Sequence, residues 1–226
     1  MEQGTTEWLK SRLGKFNGSE VGDLMGSPKT KGKQWTDTAL KLIYKVAAER
    51  HLSFLLMYDD SLLEEFLARS GAQTVAMKWG HEHEKDAVNE LAAQLTREGV
   101  KGFQMKKEAS VIHPTVKVLA ASPDRIVEIG GENYIVEIKC PYNPANAFLA
   151  QKTVNDWESL KKWNPAYYWQ VVAEIACNGA KGAYFCVYDP HQEETLHKVF
   201  LPKDDAVELQ LINRVLDAEE YIANNL

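Results

Sequence analysis

Two acids and a lysine lie close together in the segment SPDRIVEIGGENYIVEIKCP, which covers residues 122–141. Two runs rich in β-branched residues flank a Gly-Gly pair, a pattern that predicts a β-hairpin. Side chains alternate along a strand, so Glu137 and Lys139 point to one face of it. Asp124, at the end of the other strand, joins them on that face if the hairpin loop has two or four residues.

The loop length decides which side chains are direct neighbours. With a two-residue loop Asp124 lies opposite Glu137, whereas with a four-residue loop it faces Lys139 and is diagonal to Glu137. Opposite Cβ atoms are about 5 Å apart and diagonal ones about 7 to 8 Å, so both carboxylates can share one ion. Oxygen ligands with few soft donors favour Mg²⁺ or Mn²⁺ over zinc. The alternative interpretation is a cross-strand salt bridge on a solvated face.

A third acid comes from a long helix predicted from Met77 to Arg97. At 100° per residue Glu84 falls on the apolar stripe formed by Val88, Leu91 and Leu95. A carboxylate on a buried stripe needs a partner. The alternative is an acid near the helix start that is stabilised by the helix dipole.

Composition limits the class of protein. With 226 residues, 45% of them hydrophobic, we expect one domain over residues 1–226. No apolar run approaches the roughly 20 residues of a membrane helix, and the N-terminus lacks signal-peptide features, so we expect a soluble cytoplasmic protein with no membrane partner. The three cysteines lack CxxC spacing and are expected to be reduced. A net charge of -6 argues against a uniform nucleic-acid surface but permits a local basic patch.

Hydrophobic periodicity predicts the elements that position these groups. A Thr-capped helix at the N-terminus places Trp8 and Arg12 on one face, and Ser19 is interpreted as the cap of a second helix. A third helix runs from about Asp37 to His51, with Leu40, Ile43, Tyr44 and Ala47 on its apolar side. Further helices are predicted in ANAFLAQKTV, in NPAYYWQVVAEIACNG and from Asp204 onward, and strands in KGFQMKKEASVIHPTVKVLAAS, GAYFCVYDP and TLHKVFLP. This order indicates a mixed α/β sheet wrapped by helices.

Pro123-Asp124, followed after twelve residues by Glu137-Ile138-Lys139, resembles the PD-(D/E)xK nuclease motif. The surrounding sequence is similar to the phage lambda-type exonuclease family of viral recombinases. This resemblance implies a restriction-endonuclease-like α/β fold, with a mixed central β-sheet flanked by helices. Further matches in the right order extend over most of the chain: Trp8, Arg12, Ser19, Trp79-Gly80, Glu84, Asp86, Ser122, Cys140-Pro141, Gln170 and Tyr188-Asp189-Pro190.

The resemblance implies hydrolysis of a phosphodiester with two Mg²⁺ ions, for which Mn²⁺ substitutes. Asp124 would bridge the ions, Glu137 and the Ile138 carbonyl would complete the shell of one, and Glu84 would help to hold the other. Lys139 would orient or deprotonate the attacking water and neutralise the phosphate.

The N-terminal matches suit recognition of a DNA end. Arg12 offers a bidentate fork, and Ser19 offers a hydroxyl beside free backbone N-H groups, a combination suited to a 5′-phosphate. The resemblance implies this role for both residues, with Ser122 assisting, while Trp8 stacks or packs. The alternatives are a surface cation for Arg12 and a simple helix cap for Ser19.

Three further features of the sequence each have two interpretations. Gln170 contacts the scissile phosphate or Lys139, or is an amide on a helix surface. The loop SPKTKGKQW, with Lys29, Lys31 and Lys33, grips the duplex or is merely solvated. The aromatic run at 167–169 belongs to the core or stacks on bases.

We therefore predict a Mg²⁺-dependent 5′ to 3′ exonuclease that degrades one strand of linear double-stranded DNA to mononucleotides and leaves a 3′ single strand for recombination by annealing. The resemblance further implies a ring-shaped homotrimer that works with a single-strand annealing protein. The alternatives are a structure-specific or restriction-type endonuclease on the same fold and a non-catalytic DNA-binding module.

Overall fold

A computed structural model describes residues 5–52, 58–69, 74–107 and 110–226. Within these ranges the strands are β1 (Phe16–Asn17), β2 (Gln104–Lys106), β3 (Val111–Ile112), β4 (Leu119–Ala121), β5 (Arg125–Ile129), β6 (Glu132–Lys139), β7 (Gly182–Tyr188) and β8 (Leu196–Pro202). The larger sheet has the order β2-β5-β6-β7-β8, with β6 and β7 parallel and the other pairs antiparallel. The smaller sheet has the order β1-β4-β3. A mixed central sheet was the sequence-based expectation, and it is confirmed.

Helices cover both faces of the larger sheet. They are α1 (Thr6–Arg12), α2 (Gly18–Val21), α3 (Asp37–Arg50), α4 (Asp60–Ala68), α5 (Val75–Arg97), α6 (Pro144–Thr153), α7 (Trp157–Trp163), α8 (Pro165–Asn178) and α9 (Asp205–Asn225). Thr5 caps α1 by accepting a hydrogen bond from the Trp8 backbone, as the sequence indicates. The elements α4 and α7 were not predicted, although α7 begins with a capping box of Asp156 and Ser159.

Strand β6 is buried on both faces, which explains its nearly continuous apolar run. Ile135 belongs to a large hydrophobic cluster that includes residues of α3, α8 and α9. Val136 and Ile138 point the other way and pack in a second cluster with Leu91 and Leu95 of α5. The odd-numbered side chains of β6, including Glu137 and Lys139, therefore face the side on which α8 lies.

The turn between β5 and β6 settles the register of the hairpin. Ile129 pairs with Glu132, so Gly130 and Gly131 form the whole loop. Both have positive φ, +61° and +83°, which side-chain-bearing residues rarely adopt and which a tight hairpin turn requires. Continuing the ladder one position beyond Arg125 places Asp124 opposite Glu137, the first of the two predicted registers.

Glycines bring α2 unusually close to its neighbours. A Cβ atom on Gly18 would lie 3.1 Å from the Ala121 Cβ and 3.5 Å from the Ala173 Cβ. A Cβ atom on Gly22, at the end of α2, would lie 3.1 Å from the Ala166 Cα. Because Ala166 and Ala173 both belong to α8, these glycines let α2 pack on α8 with almost no side chain between them.

Two local predictions are wrong. Ser19 does not cap a helix, because α2 begins at Gly18 with Asn17 at the N-cap position, which makes Ser19 the second helical residue. Tyr44 does not lie on the buried face of α3, because it is 49% exposed. The buried face of α3 is instead formed by Ala39, Leu42, Ile43, Val46 and Ala47.

None of the described helices is both long enough and apolar enough to cross a bilayer.

Candidate active site

Asp124, Glu137 and Lys139 converge at the end of the β5–β6 hairpin. The Lys139 ammonium donates a hydrogen bond to Glu137 Oε1 at 2.5 Å. Asp124 Oδ2 accepts a hydrogen bond from the Ile138 backbone N-H at 2.7 Å, which fixes its carboxylate against β6. The structure thus brings together the three groups that the sequence predicted to share a face.

Burial sharpens the electrostatics of this centre. Glu137 is only 1% exposed. Burial, followed by the nearby Glu137 carboxylate, raises the pKa of Asp124 well above its usual range. Burial alone would lower the pKa of Lys139, but the carboxylates of Glu137 and Asp124 outweigh it and raise that pKa. Lys139 is therefore a charged ammonium at neutral pH.

Helix α8 contributes an amide and a further acid. Gln170 Oε1 accepts a hydrogen bond from Lys139 at 3.1 Å, and Gln170 Nε2 donates to Glu137 Oε1 at 2.7 Å. This geometry favours the interpretation in which Gln170 contacts the lysine. The same Nε2 donates to Glu174 Oε1 at 2.9 Å. Sequence reasoning missed Glu174, although its i,i+4 spacing from Gln170 was a usable signal.

Helix α5 approaches the centre from the other side. Glu84 Oε1 accepts a hydrogen bond from Arg125 Nη1 at 2.7 Å, and the two side chains are 18% and 15% exposed. The partner that a carboxylate on the apolar stripe needs is thus Arg125, the residue directly after Asp124. Leu91 and Leu95 of the same stripe are buried, as predicted.

Glu84, Asp124 and Lys139 border a cleft of about 580 Å³. Lys139 lies 4.3 Å from the ring centroid of Tyr167, one of the walls of the cleft. Tyr168 and Trp169 are buried in the hydrophobic core, which favours the core interpretation for these two aromatic residues. The lining includes Gly80, His81, Glu84, Asp124, Ile138, Lys139, Cys140, Tyr142, Asn146 and Tyr167.

The donor types around the cleft fit a hard divalent cation. Glu137 Oε2 is buried and has no hydrogen-bond partner among the described residues, and the Asp124 carboxylate lies on the opposite strand. Within the described ranges, however, no three His, Cys, Asp or Glu side chains are already gathered as a metal-binding group. Arg125 instead pairs with Glu84, and Lys139 pairs with Glu137.

The four residues predicted to read a DNA end form a second cluster. Arg12 Nη2 donates to Ser19 Oγ at 3.0 Å, and the guanidinium lies 4.5 Å from the ring centroid of Trp8. Trp8 Nε1 donates to Ser122 Oγ at 3.2 Å. Burial lowers the pKa of Arg12 slightly against the opposing effect of acids nearby. Since Ser122 lies two residues before Asp124, this end-binding cluster adjoins the acidic centre.

The loop with Lys29, Lys31 and Lys33 is exposed, as predicted. Lys33 is 3.6 Å from Asp37 in a solvent-exposed ion pair. Such solvent-exposed contacts contribute little to stability.

Solved structures share this fold. LHK-Exo in complex with dAMP has a TM-score of 0.70 at 24% identity, over 97% of this chain and 95% of that chain. The alkaline exonuclease LHK-Exo from Laribacter hongkongensis, determined separately, gives 0.67 at 23% identity, over 97% and 93%. A phage-related exonuclease from Haemophilus somnus 129PT gives 0.63 at 16% identity, over 92% and 93%. These likenesses confirm the predicted lambda-exonuclease-like fold. No curated protein sequence matches the chain.

A family model described as the YqaJ-like viral recombinase domain matches residues 7–181, well over half of the chain. The matched range contains every residue of both clusters. The resemblance first drawn from Pro123-Asp124 and Glu137-Ile138-Lys139 is confirmed, and it supports a nuclease that acts on DNA. The chain belongs to the YqaJ-like viral recombinase domain family.

Proposed function

We propose that the chain is a metal-dependent 5′ to 3′ exonuclease that acts on linear double-stranded DNA. It would release mononucleotides from one strand and leave a 3′ single strand for recombination by annealing. One observation carries this proposal. The end-binding cluster is joined through Ser122 to the centre formed by Asp124, Glu137 and Lys139, so a bound 5′ end would lie beside groups suited to hydrolysis.

The acids around the cleft would hold Mg²⁺, with two ions expected and Mn²⁺ as a substitute. Asp124, Glu137, the Ile138 carbonyl and Glu84 would hold them. Bound ions would supply an activated water and stabilise charge on the phosphate. Lys139, kept charged by Glu137, would orient the water and neutralise the phosphate rather than take a proton.

The end-binding cluster supports a preference for a 5′-phosphate. Arg12 presents several N-H donors in a planar fork, which matches phosphate oxygens. Stacking on Trp8 fixes the plane of that fork, and the Trp8 indole in turn holds Ser122. The exposed hydroxyl of Ser19 adds a donor beside it.

Assembly and partners are part of the same proposal. We expect a ring-shaped homotrimer that encloses DNA, with a single-strand annealing protein as its partner. A chain with net charge -6 suits this arrangement if its basic groups, such as the loop lysines, line the channel. We also expect the chain to act as one domain in the cytoplasm.

A cleavage assay with three substrates in four reactions tests the proposal. Blunt linear duplex with 5′-phosphate, the same duplex with 5′-hydroxyl, and a closed circular duplex are incubated in Mg²⁺, and the phosphorylated duplex also in EDTA. We expect mononucleotides to be released only in the reaction that contains the phosphorylated linear duplex and Mg²⁺. Cleavage of the circle would instead identify a restriction-type endonuclease, and DNA binding without cleavage would identify a binding module.

A further inference from the structure

Glu174 is a buried acid that lies outside the cleft. It is 1% exposed and occupies an otherwise apolar stretch of α8. Its Oε1 accepts a hydrogen bond from Gln170, while its Oε2 has no hydrogen-bond partner among the described residues. Burying a carboxyl group with an unsatisfied oxygen is unfavourable for folding. The position therefore calls for an explanation other than packing.

The hydrogen bonds of Gln170 supply that explanation. A primary amide has two N-H donors on its nitrogen and an oxygen that accepts. Here one donor faces Glu137, the other faces Glu174, and the oxygen faces Lys139. Turning the amide over would place its oxygen against two carboxyl groups and its NH₂ group against an ammonium. The three contacts together define one orientation of the amide.

We propose that Glu174 is a positioning residue, which anchors Gln170 so that Gln170 in turn holds Glu137 and Lys139 in their hydrolytic arrangement. The proposal rests on the nuclease function proposed above. Without Glu174, one N-H donor of Gln170 would lose its partner, and the amide would turn to satisfy that donor elsewhere. Glu137 and Lys139 would then share a less ordered amide.

A direct role in binding substrate does not fit Glu174. Like Glu137, Glu174 does not line the cleft, but Lys139 pairs with Glu137 and not with Glu174. Gln170 stands between Glu174 and the β6 side chains, four residues away on the same helix. Glu174 therefore acts through Gln170.

Two substitutions separate the hydrogen bond from the charge. Glu174→Gln keeps an oxygen that accepts from Gln170, whereas Glu174→Met fills similar space without an acceptor. On phosphorylated linear duplex we expect kcat to fall about tenfold or more in Glu174→Met and no more than about threefold in Glu174→Gln. KM for DNA should stay near the wild-type value in both, because the end-binding cluster is untouched. The melting temperature should not fall in Glu174→Met, since a buried carboxyl group is removed.

A double substitution tests whether the effect passes through the amide. In a Gln170→Ala background, Glu174→Met should cost little further activity, because the group that it anchors is already absent. A full additional loss in that background would overturn the proposal. A wild-type kcat in Glu174→Met would also overturn it. A loss of activity in Glu174→Met that follows a lowered melting temperature would do the same.

A measurement without catalysis keeps this inference separate from the proposed function. Hydrogen exchange of the Gln170 side-chain amide, followed by NMR, should be slow in the wild type and faster in Glu174→Met. Unchanged exchange would refute the anchoring role. If the wild-type protein cleaves no DNA, the nuclease function fails, and the exchange experiment still decides whether Glu174 holds the amide.

Discussion

Arg125 donates a hydrogen bond to Glu84 at 2.7 Å and so joins β5 to α5 beside the cleft. A protein cation thereby compensates the acid that the resemblance assigns to a metal ion. Because one carboxylate cannot serve both partners fully, ion binding at Glu84 should compete with this pair. We expect Arg125→Met to tighten binding of Mn²⁺, in the absence of DNA, by about threefold to tenfold. Isothermal titration calorimetry measures this change.

The pair formed by Arg97 and Glu90 provides a matched control for Arg125→Met. It has the same 2.7 Å separation and also involves an acid of α5, but neither residue lines the cleft. Arg97→Met should leave the Mn²⁺ affinity unchanged. Weaker or equal binding by Arg125→Met would show that Arg125 does not compete with the ion.

Lys139→Ala should abolish hydrolysis while DNA binding persists. The reason is that the charged ammonium next to Glu137 is the group positioned to orient water and neutralise the phosphate. Lys198→Ala is a suitable control, because Lys198 is similarly shielded, with 16% of its side chain exposed against 17% for Lys139, and pairs with Glu98. Cleavage and filter-binding assays on the same duplex measure the two effects. Turnover near the parental level would remove Lys139 from the mechanism.

Arg12→Ala should lower cleavage selectively on phosphorylated ends. In the proposed function the guanidinium fork stacked on Trp8 binds the terminal phosphate, so its removal should affect cleavage of a 5′-hydroxyl end little. Arg12→Lys keeps the charge without the fork, so its rate of cleavage on phosphorylated ends should lie between those of Arg12→Ala and the wild type. Initial rates on the two end types give the comparison, with Arg97→Ala as a remote control. Equal losses on both ends would contradict the end-reading role.

Glu174→Gln should stabilise the protein more at high pH than at low pH. Burial raises the pKa of Glu174, so as pH rises the unfolded chain loses this proton before the folded protein does. The folded state consequently loses stability above the ordinary carboxyl pKa, and Gln lacks this loss. The gain in unfolding free energy should reach about 1–3 kcal/mol near about pH 8 and be smaller near about pH 5. Urea denaturation at both values tests this, and a constant difference would indicate an ordinary pKa.

Sequence alone predicted the geometry of the hairpin centre because successive side chains of a strand point to opposite faces of the sheet. This alternation placed Glu137 and Lys139 on one face of the strand. The helical periodicity of α5 placed Glu84 on the apolar stripe of that helix. The loop length stayed open, since loops of two and four residues conserve the same alternation. Only the pairing of Ile129 with Glu132 distinguishes them.

Features that depend on packing between elements could not be predicted in this way. Helix α8 is buried around much of its circumference, so hydrophobic periodicity did not set Glu174 apart, and its i,i+4 spacing from Gln170 was the signal that sequence reasoning passed over. Arg125 was assigned to a strand, but only the approach of α5 reveals its partner. Ser19 was misplaced because serine is a common N-cap, whereas here Gly18 begins the helix to allow contact with Ala121.

The close packing of α2 on α8 has a consequence for the size of the product. Ser19 lies between Gly18 and Gly22 on one side of this contact, and Gln170 lies between Ala166 and Ala173 on the other. Because the backbones pack so closely, the distance between Ser19 and Gln170 can change little, so a terminus held at Ser19, as proposed, would lie at a constant distance from the centre formed by Asp124, Glu137 and Lys139. We therefore expect every cleavage event to remove the same number of nucleotides, whatever the enzyme concentration or divalent ion. A ladder of mixed short oligonucleotides on a sequencing gel would show that this distance is not fixed.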